Sequence, residues 1–413
     1  MRSLIARLRG REDERVAAAR SAHRAGRFAE ARRILAPVVD EGGASLEVVR
    51  GLAELEYLLG DYVTAEMLLA QVVARAGKDI ETRADAEAAL ALVYLQTNRY
   101  AETQGLFAGI EDAVTLPIWD LMQSFGDQAP YVLDWPEGTT AVTAPFLQES
   151  DWELPRLAVE INGSPFEARI DTGGDLFTLT ASDAKSLGIE PVATFTGTFA
   201  GGAPGEMGYG RAEEISIGGL TVRDVPVSIS GLHRPVIGTG FLRQFLPTLD
   251  YPGRRLVLRP RGDAPEPAGD SGIDVPFALA LVHLLIASGQ LDDLPATFVV
   301  DSGLEDAGGG AFTGSAETLT AAGISIPETS PETGESGAGD VTLELGHFPI
   351  RRLALGDATK EDTRGLYGAF PAEWNEIAEF RVHGIISHHF LCDYAWTIDF
   401  TRMTMTFVPP APG

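Results

Sequence analysis

Two stretches decide the fold: Phe166-Glu167-Ala168-Arg169-Ile170-Asp171-Thr172-Gly173-Gly174-Asp175 and Thr297-Phe298-Val299-Val300-Asp301-Ser302-Gly303-Leu304-Glu305. In each, a short strand-like run ends on an acid, a hydroxyl residue and a glycine. Each is followed by a second apolar run, a Thr, a helix-like stretch ending Gly-Ile, and an apolar-rich closing hairpin. The chain therefore carries two copies of one small β unit, and each copy offers one carboxylate.

The two copies align along their length. Leu179-Thr180 corresponds to Phe312-Thr313, and Leu187-Gly188-Ile189 to Ala322-Gly323-Ile324. Near the ends, Val236-Ile237-Gly238-Thr239-Gly240-Phe241-Leu242 matches Ile385-Ile386-Ser387-His388-His389-Phe390-Leu391. Leu249-Asp250-Tyr251 and Ile398-Asp399-Phe400 continue that match at a constant offset of 149. Agreement in order, type and spacing at so many points indicates an internal duplication.

Residues 1–125 read differently, as helix rich in Ala, Leu, Arg and Glu. A short pattern recurs at Gly26-Arg27-Phe28-Ala29-Glu30-Ala31, Gly60-Asp61-Tyr62-Val63-Thr64-Ala65 and Asn98-Arg99-Tyr100-Ala101-Glu102-Thr103. Seven positions before each turn residue stands an Ala: Ala19, Ala53 and Ala91. A small residue there lets two antiparallel helices approach, the Gly or Asn supplies the turn, and the aromatic fills the gap between neighbouring pairs. This resembles the tetratricopeptide repeat, whose period is about 34 residues. The resemblance implies a solenoid with a concave face for a protein partner or substrate. The expected organisation is a helical repeat domain over 1–125, a Pro-punctuated linker over 126–145, a β lobe over 146–261, a second linker over 262–272 and a second β lobe over 273–413.

Hydrolysing a peptide bond with water requires a base for the water and an acid for the carbonyl oxygen. Two carboxyls sharing one proton supply both, because at about 3 Å they cannot both ionise. Thr172 or Ser302 can bond backbone across the axis between copies. Gly173 and Gly303 permit a tight turn that aims N–H at the carboxylate. On these residues, and on the closing Val236-Ile237-Gly238 and Ile385-Ile386-Ser387, the sequence resembles the pepsin and retroviral-type aspartic protease superfamily over about residues 146–410. The resemblance implies an all-β, two-lobed pair of retropepsin-like barrels with the substrate between them. It implies Asp171 and Asp301 as the catalytic dyad, supported by Thr172, Gly173, Ser302 and Gly303. Asp175 and Glu305, four positions after each dyad residue, would contact substrate backbone. A Gly-rich flap, Gly197 to Gly210, would place Met207 and Tyr209 on the substrate. The matching part of the second copy, Thr329 to Asp340, lacks an aromatic, so one flap is expected. Ser387 in place of Gly, Gly174 and Leu304 after the tripeptides, and three extra residues between Asp301 and Thr313 depart from the pattern. A peptide-binding scaffold that does not cut is the alternative reading.

Other chemistries find little support. His383, His388 and His389 cluster, but their spacing, read on a strand and loop, matches no zinc pattern. No nucleophile elbow or phosphate loop occurs. No metal or cofactor is expected. The net charge is −27, although residues 1–33 hold ten Arg against four acids. An acidic body repels nucleic acid and anionic lipid. Cys392 is the only cysteine, so no intrachain disulfide forms; it is expected as a buried thiol. No run of eighteen apolar residues suggests a membrane span. With no secretion signal in the opening residues, a cytoplasmic location is the expectation.

Overall fold

The computed structural model describes residues 14–107, 117–148, 150, 153–199, 202–263, 272–306, 308–371, 374–375 and 379–410. Most of the linker expected over 262–272 and the first thirteen residues of the basic N-terminal stretch lie outside these. The chain divides into two compact units. One comprises Met1–Pro130, Ala278–Val282 and Glu373–Arg381; the other comprises Tyr131–Phe277, His283–Ala372 and Val382–Gly413.

The first unit is built from helix–turn–helix pairs: Glu14–Arg24 with Phe28–Asp40, Leu46–Leu58 with Tyr62–Ala76, and Ile80–Gln96 with a 3-10 segment, Tyr100–Gly105. The three turn residues picked out by the repeat all take left-handed backbone, with φ of 72° at Gly26, 80° at Gly60 and 58° at Asn98. Gly and Asn are the residues that reach this region at low cost. Ala19, Ala53 and Ala91 are buried between their helices. Ion pairs tie successive pairs together: Arg32–Glu56, Arg50–Asp85 and Arg99–Glu66. The third pair departs from the first two. Its second element is a 3-10 turn, in which the buried Thr103 hydroxyl donates to Tyr100 O at 2.6 Å. A Thr bonding back to backbone in this way disfavours a regular helix, and Thr103 stands where the other repeats have Ala.

Two loops complete this unit. Gln96 donates to Val282 O at 2.6 Å, and Arg381 N–H to Arg24 O at 2.8 Å. Phe380 packs edge-on against Phe28, with ring centroids 4.8 Å apart, and next to His23. Burial in this aromatic cluster pushes the His23 imidazole down to about 4, so it is neutral at physiological pH.

The second unit holds two barrels of identical topology. In the first, the ring runs Arg156–Ile161, Ser164–Ile170, Val236–Ile237, Phe177–Thr180, Leu220–Ser230 and Pro204–Ile217, then back to the start. In the second it runs Leu284–Leu291, Leu294–Val300, Gly384–Ile386, Gly310–Gly314, Ala358–Tyr367 and Gly339–Leu355, again closing on itself. Parallel and antiparallel pairings correspond strand for strand. An Asn162-Gly163 turn with φ of 48° and 73° starts the first barrel, the two-residue connection whose twist matches antiparallel strands.

A shared sheet joins the barrels, in the order Ile273–Ala280, Thr404–Val408, Ala395–Asp399, Phe245–Asp250, Arg255–Pro260 and Val142–Pro145. At its centre Thr248 lies opposite Thr397, and their hydroxyls bond at 2.7 Å. These residues are 149 positions apart, the offset at which the two copies align. The pseudo-two-fold axis therefore passes between two equivalent threonines.

The span expected as a linker, 126–145, carries two strands. Val132–Asp134 pairs with Leu220–Ser230, and Val142–Pro145 is the edge of the shared sheet. Pro136 and Gly138 turn the chain between them without separating domains. His388 and His389, expected on a strand and loop, lie in a short helix, His388–Leu391, capped by Ser387. Cys392 is half-buried rather than enclosed, with its thiol near His389 O.

Replacing Gly60 by Val forces a β-branched residue into left-handed backbone. The expected loss is about 1–2 kcal/mol, read as a lower unfolding midpoint by far-UV circular dichroism, with Gly60→Asn close to wild type.

Candidate active site

Each dyad loop is held at the end of a strand by the same bonds. Asp171 N–H donates to Ile237 O at 3.1 Å, and Asp301 N–H to Ile386 O at 2.9 Å. Gly173 N–H donates to Asp171 Oδ1 at 2.7 Å, and Gly303 N–H to Asp301 Oδ1 at 2.8 Å. Gly174 O accepts from Thr239 N, and Leu304 O from His388 N. The departures at Gly174 and Leu304 leave this backbone bond unchanged, because only main-chain atoms make it.

The hydroxyls lock the loops to each other. Thr172 Oγ1 donates to Val300 O at 2.9 Å and accepts from Ser302 N at 3.0 Å. Ser302 Oγ accepts from Thr172 N at 3.0 Å and donates to Ile170 O at 3.4 Å. Both side chains are fully buried. In this enclosed position, leaving any one of these groups unpaired costs about 1–3 kcal/mol.

The lock brings the carboxyls together. The Cβ that Gly303 lacks would stand 2.0 Å from Asp171 Cγ, and the one Gly173 lacks 2.5 Å from Asp301 Oδ2. Any side chain at either position would occupy the place of the opposing carboxyl. Asp301 is hydrogen-bonded to Asp171. Burial, the Asp171 charge and that bond hold Asp301 well above the usual carboxylate range, although N–H groups of Gly303 and Leu304 pull it back.

Ser387 fits without disturbing its loop. Its Oγ donates to Gly310 O at 2.6 Å and accepts from His389 N at 3.2 Å. At the equivalent Gly238, a Cβ would meet Leu176 O at 2.1 Å. The difference lies in the loop after Asp301. Phe177-Thr178 and Phe312-Thr313 take matching places beside the closing strands, and Thr180 and Ser315 cap the matching helices, so Thr180 corresponds to Ser315 rather than Thr313 and the second loop is five residues longer, not three. That insert is folded around Asp306, which accepts from Gly308 N, Gly310 N and His347 Nε2. Burial works against the Asp306 charge, but these donors outweigh it and hold its carboxyl below the usual range.

Asp175 and Glu305 sit in unlike surroundings. Asp175 accepts from Leu176 N at 2.7 Å, Ser228 Oγ at 2.8 Å and the Tyr209 hydroxyl at 3.1 Å. Ser228 in turn bonds Thr178. Tyr209 therefore lies at the base of its hairpin, 9% exposed, and anchors it to the dyad loop. Met207 is half-buried over Gly197. Glu305 is exposed.

Both lobes form a hairpin in the flap position, where one was expected. Ala193–Thr198 pairs with Pro204–Ile217, and Ser330–Ser336 with Gly339–Leu355. Gly201, counted in the first flap, lies outside the described residues. The hairpins meet: Phe199 packs on Gly337, and Gly205 on Ala338. Sequence reasoning missed the second hairpin because Thr329 to Asp340 is polar and has no aromatic. Its strand pairing comes from backbone bonds that composition does not report.

Among the described residues no group of three or more His, Cys, Asp or Glu is arranged to hold a metal ion. Among the described residues no helix is long and apolar enough to cross a membrane.

Residues 157–244 match the family model of the gag-polyprotein putative aspartyl protease. Among solved structures, a retropepsin-like aspartic protease from Rickettsia conorii matches with 14% identity, covering 31% of this chain and 92% of that chain, at a TM-score of 0.23. No curated protein matches. The family-model match spans the first barrel alone.

Exchanging the closing residues should cost both lobes stability, but unequally. Gly238→Ser, which drives a side chain into rigid backbone, should lower stability by about 3 kcal/mol. Ser387→Gly, which removes a cap and one buried bond, should lower it by about 1 kcal/mol. Urea unfolding of each variant measures both.

Proposed function

We propose that the protein is an aspartic endopeptidase whose dyad is Asp171 and Asp301. The observation that supports this reading is the close approach of each tripeptide glycine to the opposing carboxyl, Gly303 to Asp171 and Gly173 to Asp301, with Asp301 raised by burial and by the Asp171 charge. The family match over residues 157–244 supports aspartyl protease activity in general.

In the proposed reaction a water between the carboxyls loses a proton to the ionised member as its oxygen attacks the scissile carbonyl carbon. The protonated member gives its proton to the carbonyl oxygen, and a tetrahedral gem-diol forms. The C–N bond then breaks, a proton passes to the leaving amine, and the dyad returns to its single-proton state. No covalent intermediate forms. Thr172 and Ser302 act as positioning residues, since their bonds set the separation of the carboxyls. Glu305 is the exposed carboxylate for substrate backbone, whereas Asp175 and Tyr209 position the flap. The helix pairs, read as tetratricopeptide-like repeats, would recruit a protein substrate or partner.

Asp171→Asn and Asp301→Asn should each lower kcat/KM on unfolded protein substrates by about three orders of magnitude or more. Activity that survives either change would remove that residue from the mechanism.

The pH dependence follows from the raised Asp301. Activity should fall in acid as both carboxyls take up protons, and fall on the alkaline side as the shared proton leaves. The alkaline limb lies above the ordinary carboxylate range. Stability has a definite sign: an acid raised by folding is neutral in both states at low pH, and it destabilises the fold as pH rises through the folded value. Asp301→Asn should therefore raise the thermal midpoint at neutral pH, with the gain vanishing near pH 3. Calorimetry across that range checks it.

A further inference from the structure

We infer that Glu335 is a latch residue: its ion pair with Arg169 clasps the lobe 2 hairpin onto lobe 1, and peptide reaches the dyad only when that pair opens. The inference rests on the peptidase reading for what the latch admits, and on contacts alone for the latch itself.

The contacts converge on one hairpin tip. Arg169 Nη1 lies 2.7 Å from Glu335 Oε2, with side chains 23% and 17% exposed. Glu335 Oε1 accepts His233 N–H at 2.5 Å. Gly231 N–H donates to Gly337 O at 2.9 Å. Ser336 folds the tip on itself, accepting from Ala338 N and donating to Gly339 O. Phe199 covers Gly337 so closely that a Cβ there would overlap its ring. The tip of one lobe's hairpin is thus bonded to the other lobe at backbone, apolar and charged points.

The ion pair differs in kind from the rest. Backbone bonds to Gly231 and His233 exchange readily with water, so their net contribution is small. A partly desolvated pair contributes more, and removing one partner leaves the other charge poorly solvated. Other charges around it are the His233 ring, 3.9 Å from Glu335 and 3.4 Å from Asp340, and Glu305, which feels the Arg169 charge. Arg169 also stands two residues before Asp171 on the same strand. Glu305, four residues after Asp301, feels the Arg169 charge, so the clasp lies alongside the loop that carries Asp301.

Hydrogen–deuterium exchange of the full chain tests the latch without relying on catalysis. Glu335→Gln keeps the shape and removes the charge. Exchange over 331–340 and 231–233 should accelerate about five- to tenfold, with the Thr172 and Ser302 loops unchanged. Unchanged exchange in the hairpin overturns the latch. Should Glu335→Gln lose protection throughout, wild type across a sodium chloride series gives the same comparison without a substitution. Peptide kinetics then test admission: KM should fall in Glu335→Gln with kcat near wild type. Faster exchange with unchanged kcat/KM overturns the gating role. If neither protein cleaves peptide, the peptidase reading fails, and the exchange result alone decides the latch.

Discussion

The reciprocal exchange between Thr172 and Ser302 is the constraint on which the rest of the β unit depends. Four bonds link two loops from different barrels, each hydroxyl both donating and accepting. Two carboxyls repel when both are ionised, so their approach needs a frame that holds it. The lock is that frame, and its complete burial excludes the water that would otherwise compete for these bonds. The raised Asp301 follows from this enforced approach. The site stores an unfavourable interaction that the barrels and the shared sheet sustain.

Duplication supplies two equivalent frames, and the copies have diverged where the axis does not constrain them. At the axis, Thr248 and Thr397 remain identical. One turn away, Gly238 and Ser387 occupy matching positions in loops of different length. The longer loop folds around Asp306 and leaves room for a hydroxyl that then caps the following helix. The acids after the dyad diverge too. Asp175 is committed to Tyr209 and Ser228, while Glu305 is left toward solvent. One lobe thus uses its acid to brace a hairpin, and the other leaves its acid available.

The helical unit shows how a repeat tolerates change at its end. Left-handed turns recur in all three pairs because Gly and Asn both reach that backbone region. The third pair gives up its second α-helix where Thr replaces Ala and bonds back to the chain. The loops Ala278–Val282 and Glu373–Arg381 belong to this unit, and Phe380 fills an aromatic cluster with Phe28 and His23. No local signal in those loops marks them as partners of helices far earlier in the chain, 186 positions away in the case of Val282 and Gln96.

Much was legible from order and spacing. The helix-to-β division, the three repeat turns, the duplication and the offset of 149 were all readable, because periodicity and glycine placement are local properties. The equivalent places of Asp171 and Asp301 were readable as well, since each follows a matching strand in its copy. Other features required the tertiary structure. Whether Ser387 fits depends on a loop folded around Asp306. Whether Asp175 faces solvent or Tyr209 depends on where a hairpin base lands. The Arg169–Glu335 clasp joins residues 166 positions apart in unlike sequence contexts. A chain encodes its strands locally, but the partner of a charge is set by how two finished barrels meet.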